Sequence, residues 1–399
     1  MCQLTRELTL IQTFEIIIFS SRYNIMLFLV PIGYITHFLN SNVILVFVMN
    51  FLAIVPLSKL LEFAIKELSY NVNETLGGLL NMTFNNLVEL IITILALVNG
   101  QIRVVQAAVL GSIFFHILLT FGSCFLFGGI YILKNRKVEQ EFDSTVAQMS
   151  SSLMTLACIT LALPASFSIF RPEFAINVQA SEPAIDNDFN ISTVKIDNNL
   201  LHISYGTSIV LLVIYVLYLY FKLKTHKRLY KTLSKNEKEG NEAHINIIAS
   251  LILLIVMTVI VVFSAIFLIK SIDGVATSHG ISKTFIGMFL LPIAVNSVKY
   301  TTSVKNAIHD KMDTTINDSF GSSTHVALFI IPLLVILGWI INLPMSLFFL
   351  PFETICLFIA VILINYLVQK DGKSNWLEGV LLIATYSIMT VAFFYYPAP

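Results

Sequence analysis

Apolar runs of about 20 residues follow one another along this chain from residue 24 to residue 396, and nothing else in the sequence narrows the fold so far. A run of that length crosses the hydrocarbon core of a bilayer as a helix, where every backbone polar group must be satisfied internally. Spans are predicted at approximately 24–40, 43–68, 75–97, 104–127, 149–166, 204–222, 245–270, 281–307, 314–341, 345–368 and 376–396. The fold class is therefore an all-α polytopic membrane protein with about eleven transmembrane helices. Composition agrees: 56% of the 399 residues are hydrophobic and 12% are charged, against about 25% charged in soluble domains. Mean hydropathy is +0.83. A soluble globule of this length cannot bury that much apolar surface. Residues 7–20 are apolar but contain Glu7 and Glu15, and read as an interfacial lead-in rather than a span. No pattern of a cleavable signal peptide is seen.

The loops set the orientation by their lysines and arginines. The 222–243 loop is rich in Lys and Arg, and the 134–143 loop opens with Lys134, Arg136 and Lys137. The 167–203 loop carries Glu173, Glu182, Asp186, Asp188 and Asp197 against Arg171 and Lys195. Basic loops in the cytosol and the acidic loop in the lumen put the N-terminus in the cytosol and the C-terminus in the lumen. Asn190 then heads the one glycosylation sequon in a luminal loop, and those at Asn73, Asn81 and Asn317 should be unused. Lys plus Arg equals Asp plus Glu, at 24 each, so net charge points to no nucleic-acid partner. The cysteines (Cys2, Cys124, Cys158, Cys356) are scattered and form neither a metal cluster nor a disulfide framework. The sequence has no phosphate-binding loop, nucleotide motif or nucleophile elbow, and no loop is long enough for an ATPase domain. No enzyme activity and no cofactor are expected. Transport must draw on an ion gradient.

The chain also matches itself at an offset of 210 residues: Gly77 with Gly287, Asn86 with Asn296, Gly111-Ser112 with Gly321-Ser322. Five spans separate the equivalents, so the two halves face opposite ways, the inverted-repeat plan of secondary transporters with a substrate site near the midplane. Chance similarity between apolar segments is the alternative, and the ungapped polar matches argue against it. The expected organisation is an N-terminal region and first span at 1–42, one repeat at 43–222, a charged cytosolic linker at 223–244 and a second repeat at 245–399.

The matched segments are the polar ones. The third span reads TLGGLLNMTFNNLVELI and the eighth FIGMFLLPIAVNSVKYTTSV. Pro292 should break the eighth helix near Asn296 by freeing a carbonyl four residues earlier. Freed carbonyls, amides and a carboxylate are hard oxygen ligands, suited to Ca²⁺ or a similar cation. Glu89 is the main candidate, a carboxylate deep in a span that is costly unless it faces a cavity or a partner; it is either a cation ligand that also carries the counter-transported proton or a structural partner. Its equivalent at the same offset is Lys299. Asn86, Asn296, Ser112 and Ser322 are candidate cavity ligands at equivalent positions, although small polar residues also pack helices without touching substrate.

These segments resemble the calcium/proton exchanger (CAX) family, and most of all its fungal vacuolar members. The resemblance covers about Leu52 to Pro397 and rests on FLAIVPLSKLL, TLGGLLNMTFNNLVELI, NGQIRVVQAAVLGSI, ISKTFIG, KMDTTI, GSSTHVALFIIP, PMSLFFLPFET and SNWLEGV. It implies a single-chain Ca²⁺/H⁺ exchanger of the vacuolar membrane, an extra N-terminal helix before two inverted five-helix halves, and alternating access about a glutamate in each repeat. An inorganic cation and the lipid membrane are the partners implied.

The chain departs from the family pattern at the ion site. The GNA-x-E pattern survives in the first repeat as Asn85-Asn86-Leu87-Val88-Glu89, but the second reads Val295-Asn296-Ser297-Val298-Lys299. Lys66 stands where the resemblance implies an acid, Ile266 where another is common, and His116 and His325 where it implies an asparagine and a glutamine. Two carboxylates match a divalent ion; Glu89 with Lys299 sums to about zero, and an added ammonium repels a divalent cation by several kcal/mol. An ion pair between Glu89 and Lys299 that mimics bound cation is expected. Three readings stand: ordinary Ca²⁺/H⁺ exchange on Glu89 alone, exchange with altered specificity, or a transport-dead paralogue acting as a regulatory partner. Lys66 either alters the site or snorkels to the interface. His116 and His325 are either proton carriers or hydrogen-bonded core histidines. Lysines dilute the acids of the 222–243 loop, so no Ca²⁺ regulation is assigned to it.

Overall fold

The structure is a computed structural model that describes residues 15–17, 20–39, 41–134, 138–170, 198–227, 244–368 and 372–396. Each of the eleven predicted span regions holds a helix, although the tenth is irregular over 345–350 and becomes helical only at Pro351. After a 3₁₀ segment, Arg22–Phe28, comes α1 (Leu29–Phe38). Then follow α2 (Val43–Tyr70), α3 (Glu74–Phe84), α4 (Leu87–Val98) and α5 (Ile102–Lys134). Next are α6 (Ser144–Phe170) and α7 (Asn198–Tyr220), the latter continued by a π-turn over Phe221–Thr225. The second half holds α8 (Ile247–His279), α9 (283–308), α10 (Met312–Ile340), α11 (Pro351–Val368) and α12 (Trp376–Tyr395). Among the described residues eight helices are long and apolar enough to cross a membrane, and nine if the bent pair α3–α4 is one span. The other two predicted spans fall short of that test. The N-terminal one is a seven-residue 3₁₀ segment and a ten-residue helix. The other, α9, is diluted by Asn296, Lys299 and its threonines. The lead-in at 7–20, the acidic loop with Asn190 and the basic 222–243 loop lie mostly outside the described residues.

Shifting by 210 residues lays α2 on α8, α3–α4 on α9, α5 on α10 and α6 on α11. The two halves interlock: α8 lies along α2, α11 along α6, and α12 against the second half of α5. α5 is the central element, with 94% of its apolar window buried against 22% for α7. Outside the bundle a short antiparallel ladder ties the halves, with β1 (Gln140–Glu141) on β2 (Lys373–Ser374) and Gln140 opposite Ser374.

The helix break is not where Pro292 predicts it. α9 runs through Asn296 without interruption, and the equivalent helix of the first half is the broken one, bent by 43° between α3 and α4. Two local reasons account for this. A π-turn over Ile286–Leu290 closes with Leu291 N–H on the Ile286 carbonyl, so the regular α segment restarts at Leu291. Pro292 then falls in a first turn, where its missing N–H is not needed. The carbonyl four residues before it, of Met288, rests against Gly111, where a Cβ would come within 1.9 Å of the oxygen. In the first half, Asn85 and Asn86 use their side chains to bond the other half of the protein, and asparagine readily leaves a helix to make such bonds.

Candidate cation site

The break gives Glu89 its setting. Asn86 has φ −108° and ψ 32° and sits at the start of α4, which places Glu89 in that helix's first turn. The unpaired amides and positive dipole end of a helix N-terminus favour an anion there. Glu89 is 4% exposed, and neither of its carboxylate oxygens makes a close hydrogen bond, the Ser112 hydroxyl being the polar group turned toward it. Its electrostatic neighbours are Lys299 and Ser112.

Around it the two repeats exchange side chains reciprocally. Asn86 of the first donates from Nδ2 to the Ser322 carbonyl of the second at 3.3 Å. Asn296 of the second donates from Nδ2 to the Ser112 hydroxyl of the first at 3.2 Å. Asn85 adds a bond to the Ser322 hydroxyl at 3.3 Å. All four candidate ligands are buried, and the Asn296 amide also faces the His116 ring. The four residues are thus brought together across halves.

The expected Glu89–Lys299 ion pair is not formed. The Lys299 ammonium donates to Asn86 Oδ1 instead, because the break carries that amide oxygen to the ammonium on the narrow cavity that Glu89 also lines. This contact fixes the neighbouring roles. An ammonium can only donate, so Asn86 presents its oxygen to Lys299 and its NH₂ to His325 Nδ1, 3.2 Å away. His325 Nδ1 is then the acceptor and its proton sits on Nε2, with the Thr83 backbone as the ring's other polar neighbour. The ring packs on Tyr215 and Phe329. His116 is also buried with Nε2 unpartnered, and it lies in a π-turn, Phe115–Thr120, while His325 begins the equivalent one at Val326–Ile330. π-turns inside helices recur at functional sites.

Two adjoining cavities reach this cluster. The wider, about 230 Å³, runs from the Lys227–Glu74 pair at its rim to His116 and Lys299 at its base. The narrower, about 30 Å³, is lined by Glu89, Asn86, Lys299 and Glu62 among others. Toward the N-terminal end of α9 the two halves pack closely, with Gly111 against Met288 and Gly287 within a Cβ's reach of Ala107 and the Val104 carbonyl. Among the described residues no group of three or more His, Cys, Asp or Glu is placed to hold a metal ion. A cation here must take amide, hydroxyl and carbonyl oxygens beside the carboxylates that line the narrower cavity.

Lys66 lines the wider cavity and not the narrower one; its ammonium bonds Glu62 at 2.7 Å and its side chain is 38% exposed. Glu67, beside it in sequence, instead caps the start of the second half, accepting from the His244 and Ile245 amides at 2.7 and 3.2 Å. Sequence reading missed Glu62 and Asp318, which both line the wider cavity. The four-residue spacing of Glu62 and Lys66, right for a pair on one helix face, was the available signal.

The family model described as sodium/calcium exchanger protein matches residues 42–224 and 249–395. The vacuolar calcium ion transporter of Schizosaccharomyces pombe is 40% identical over 381 residues, 96% of this chain and 86% of that protein. The Ca²⁺/H⁺ antiporter of Aphanothece halophytica is 35% identical over 93% of this chain and 96% of its own length. The crystal structure of the Ca²⁺/H⁺ antiporter protein YfkE superposes with a TM-score of 0.72 at 28% identity, covering 93% of this chain and 98% of that one.

Proposed function

The chain belongs to the sodium/calcium exchanger protein family, and from that premise we propose that it is a secondary-active antiporter that exchanges Ca²⁺ for protons across the vacuolar membrane by alternating access. One observation carries the reading. Glu89 is a buried carboxylate with no close hydrogen bond on either oxygen, at a helix N-terminus, on a cavity that adjoins a wider polar one. A carboxylate so placed takes either a cation or a proton and not both, which is the coupling an exchanger needs. Asn86, Asn296, Ser112 and Ser322 supply oxygen ligands, and His116 and His325 are the proton carriers nearest the site. Lys227 at the rim belongs to the basic 222–243 loop, so the open cavity faces the cytosol and the N-terminus is cytosolic, with the C-terminus luminal. The stretches 43–222 and 245–399 are the halves that move against each other about the 223–244 linker. The two separate stretches of the family match support that division.

The Lys299–Asn86 contact favours a second reading, an exchanger with altered cation specificity or a silent regulatory paralogue, since an ammonium occupies the ligand shell. Proton-gradient-driven ⁴⁵Ca²⁺ uptake into proteoliposomes separates the two. Uptake by wild type and none by Glu89→Gln supports Ca²⁺/H⁺ exchange. Silence in wild type with uptake in Lys299→Glu sinks it and favours the second reading, with Na⁺ and K⁺ exchange measured next.

A further inference from the structure

Glu62 enters from α2, on neither matched segment, yet it lines the narrow cavity together with Glu89 and Lys299. It also faces the wider cavity. Lys299 acts electrostatically on both carboxylates, although its hydrogen bond goes to Asn86. Lys66 and Lys59 hold Glu62 at 2.7 and 3.3 Å, and their side chains, 38% and 23% exposed, can swing toward water. Lys299 lies deeper, at the base of the wider cavity and on the narrower one beside both carboxylates. Both Glu89 oxygens, buried and without a close hydrogen bond, lie on this same cavity.

Resting on the antiporter reading, we propose that Glu62 is the second carboxylate of the cation site and that Lys299 is a tethered ammonium between the two carboxylates, competing with the transported divalent ion. The position that lost its glutamate, 299, is compensated from a different helix. With Lys66 and Lys59 turned to water, Glu62, Glu89 and Lys299 together carry a formal charge of −1, where Glu89 and Lys299 alone give zero. A Ca²⁺ ion entering between the carboxylates must displace the ammonium, and oxygen ligands from Asn86 become free as it leaves.

Equilibrium ⁴⁵Ca²⁺ binding to the purified full chain in detergent micelles tests this, each variant first shown monodisperse and helical. Lys299→Met takes the site to −2 and is expected to tighten binding at least tenfold. Adding Glu62→Gln to that variant is expected to remove the gain, while adding Glu62→Asp, which keeps the charge, retains most of it. A gain that survives Glu62→Gln, or no gain in Lys299→Met, overturns the proposal. Binding needs no transport, so the two readings fail separately. The expected binding pattern without proton-driven uptake sinks the antiporter and leaves Glu62 in the site; uptake with binding indifferent to Glu62 does the reverse.

Discussion

The two repeats carry equivalent residues on different backbones. In the first, the helix breaks at Asn85-Asn86 and Glu89 sits at the positive end of a new helix. In the second, α9 is unbroken and Lys299 lies within a continuous helix, with no free amides at that level. Packing differs in the same sense. A Cβ on Gly111 would meet the Met288 carbonyl at 1.9 Å, whereas one on Gly321, its equivalent, would meet nothing within 4 Å. A shared ancestral pattern therefore does not make two equal half-sites. The backbone prepares one for an anion and leaves the other able to carry a cation.

The strongest way to break this comparison is to swap the charges. In Glu89→Lys/Lys299→Glu the pair is conserved but a lysine meets a helix N-terminus. Proton-driven uptake is expected to fall about a hundredfold, from a misplaced buried charge and a reversed dipole interaction. Uptake at the level of wild type would show that the break carries nothing. Next in size, Gly111→Ala is expected to cost about 3 kcal/mol, since backbone on backbone cannot yield. Gly321→Ala should instead be neutral or gain up to about 1 kcal/mol from helix propensity. Thermal unfolding of both in one micelle gives the difference, and equal shifts would refute it. Smaller again is the contrast between the asparagines. Asn86→Ala deprives a part-buried ammonium of its acceptor and should destabilise by about 2 kcal/mol, and Asn296→Ala, which loses only neutral contacts to Ser112 and His116, by about 1 kcal/mol. Smallest is Lys227→Ala at the rim. The Lys227–Glu74 pair is 38% and 39% exposed, so its loss should change stability by no more than about 0.5 kcal/mol and vanish in high salt. A larger effect would mean the rim, not the base, organises the first half.

Much of the fold was legible. Every predicted span region holds a helix, and the offset of five spans from Asn86 to Asn296 requires opposed halves. The reciprocal Asn86–Ser322 and Asn296–Ser112 bonds join residues the repeat had singled out. Three features were not legible. Pro292 pointed to a break that a preceding π-turn absorbs. The ammonium of Lys299 chose Asn86 over Glu89, a choice among acceptors a few ångströms apart that spacing along the chain cannot rank. Glu62 lies outside both repeats' polar segments and shares a cavity with Glu89 and Lys299 through tertiary packing, with α2 beside the Lys299 helix α9.

The sequence by itself determined the membrane-spanning helices and their inverted arrangement, because both follow from local apolar length and from counting spans. Which helix breaks, which way Asn86 turns and which acids share a cavity were decided by tertiary structure. Each depends on polar groups from segments far apart in the chain meeting where no water competes, and there the partner that reaches a buried donor or acceptor at hydrogen-bond distance sets the arrangement.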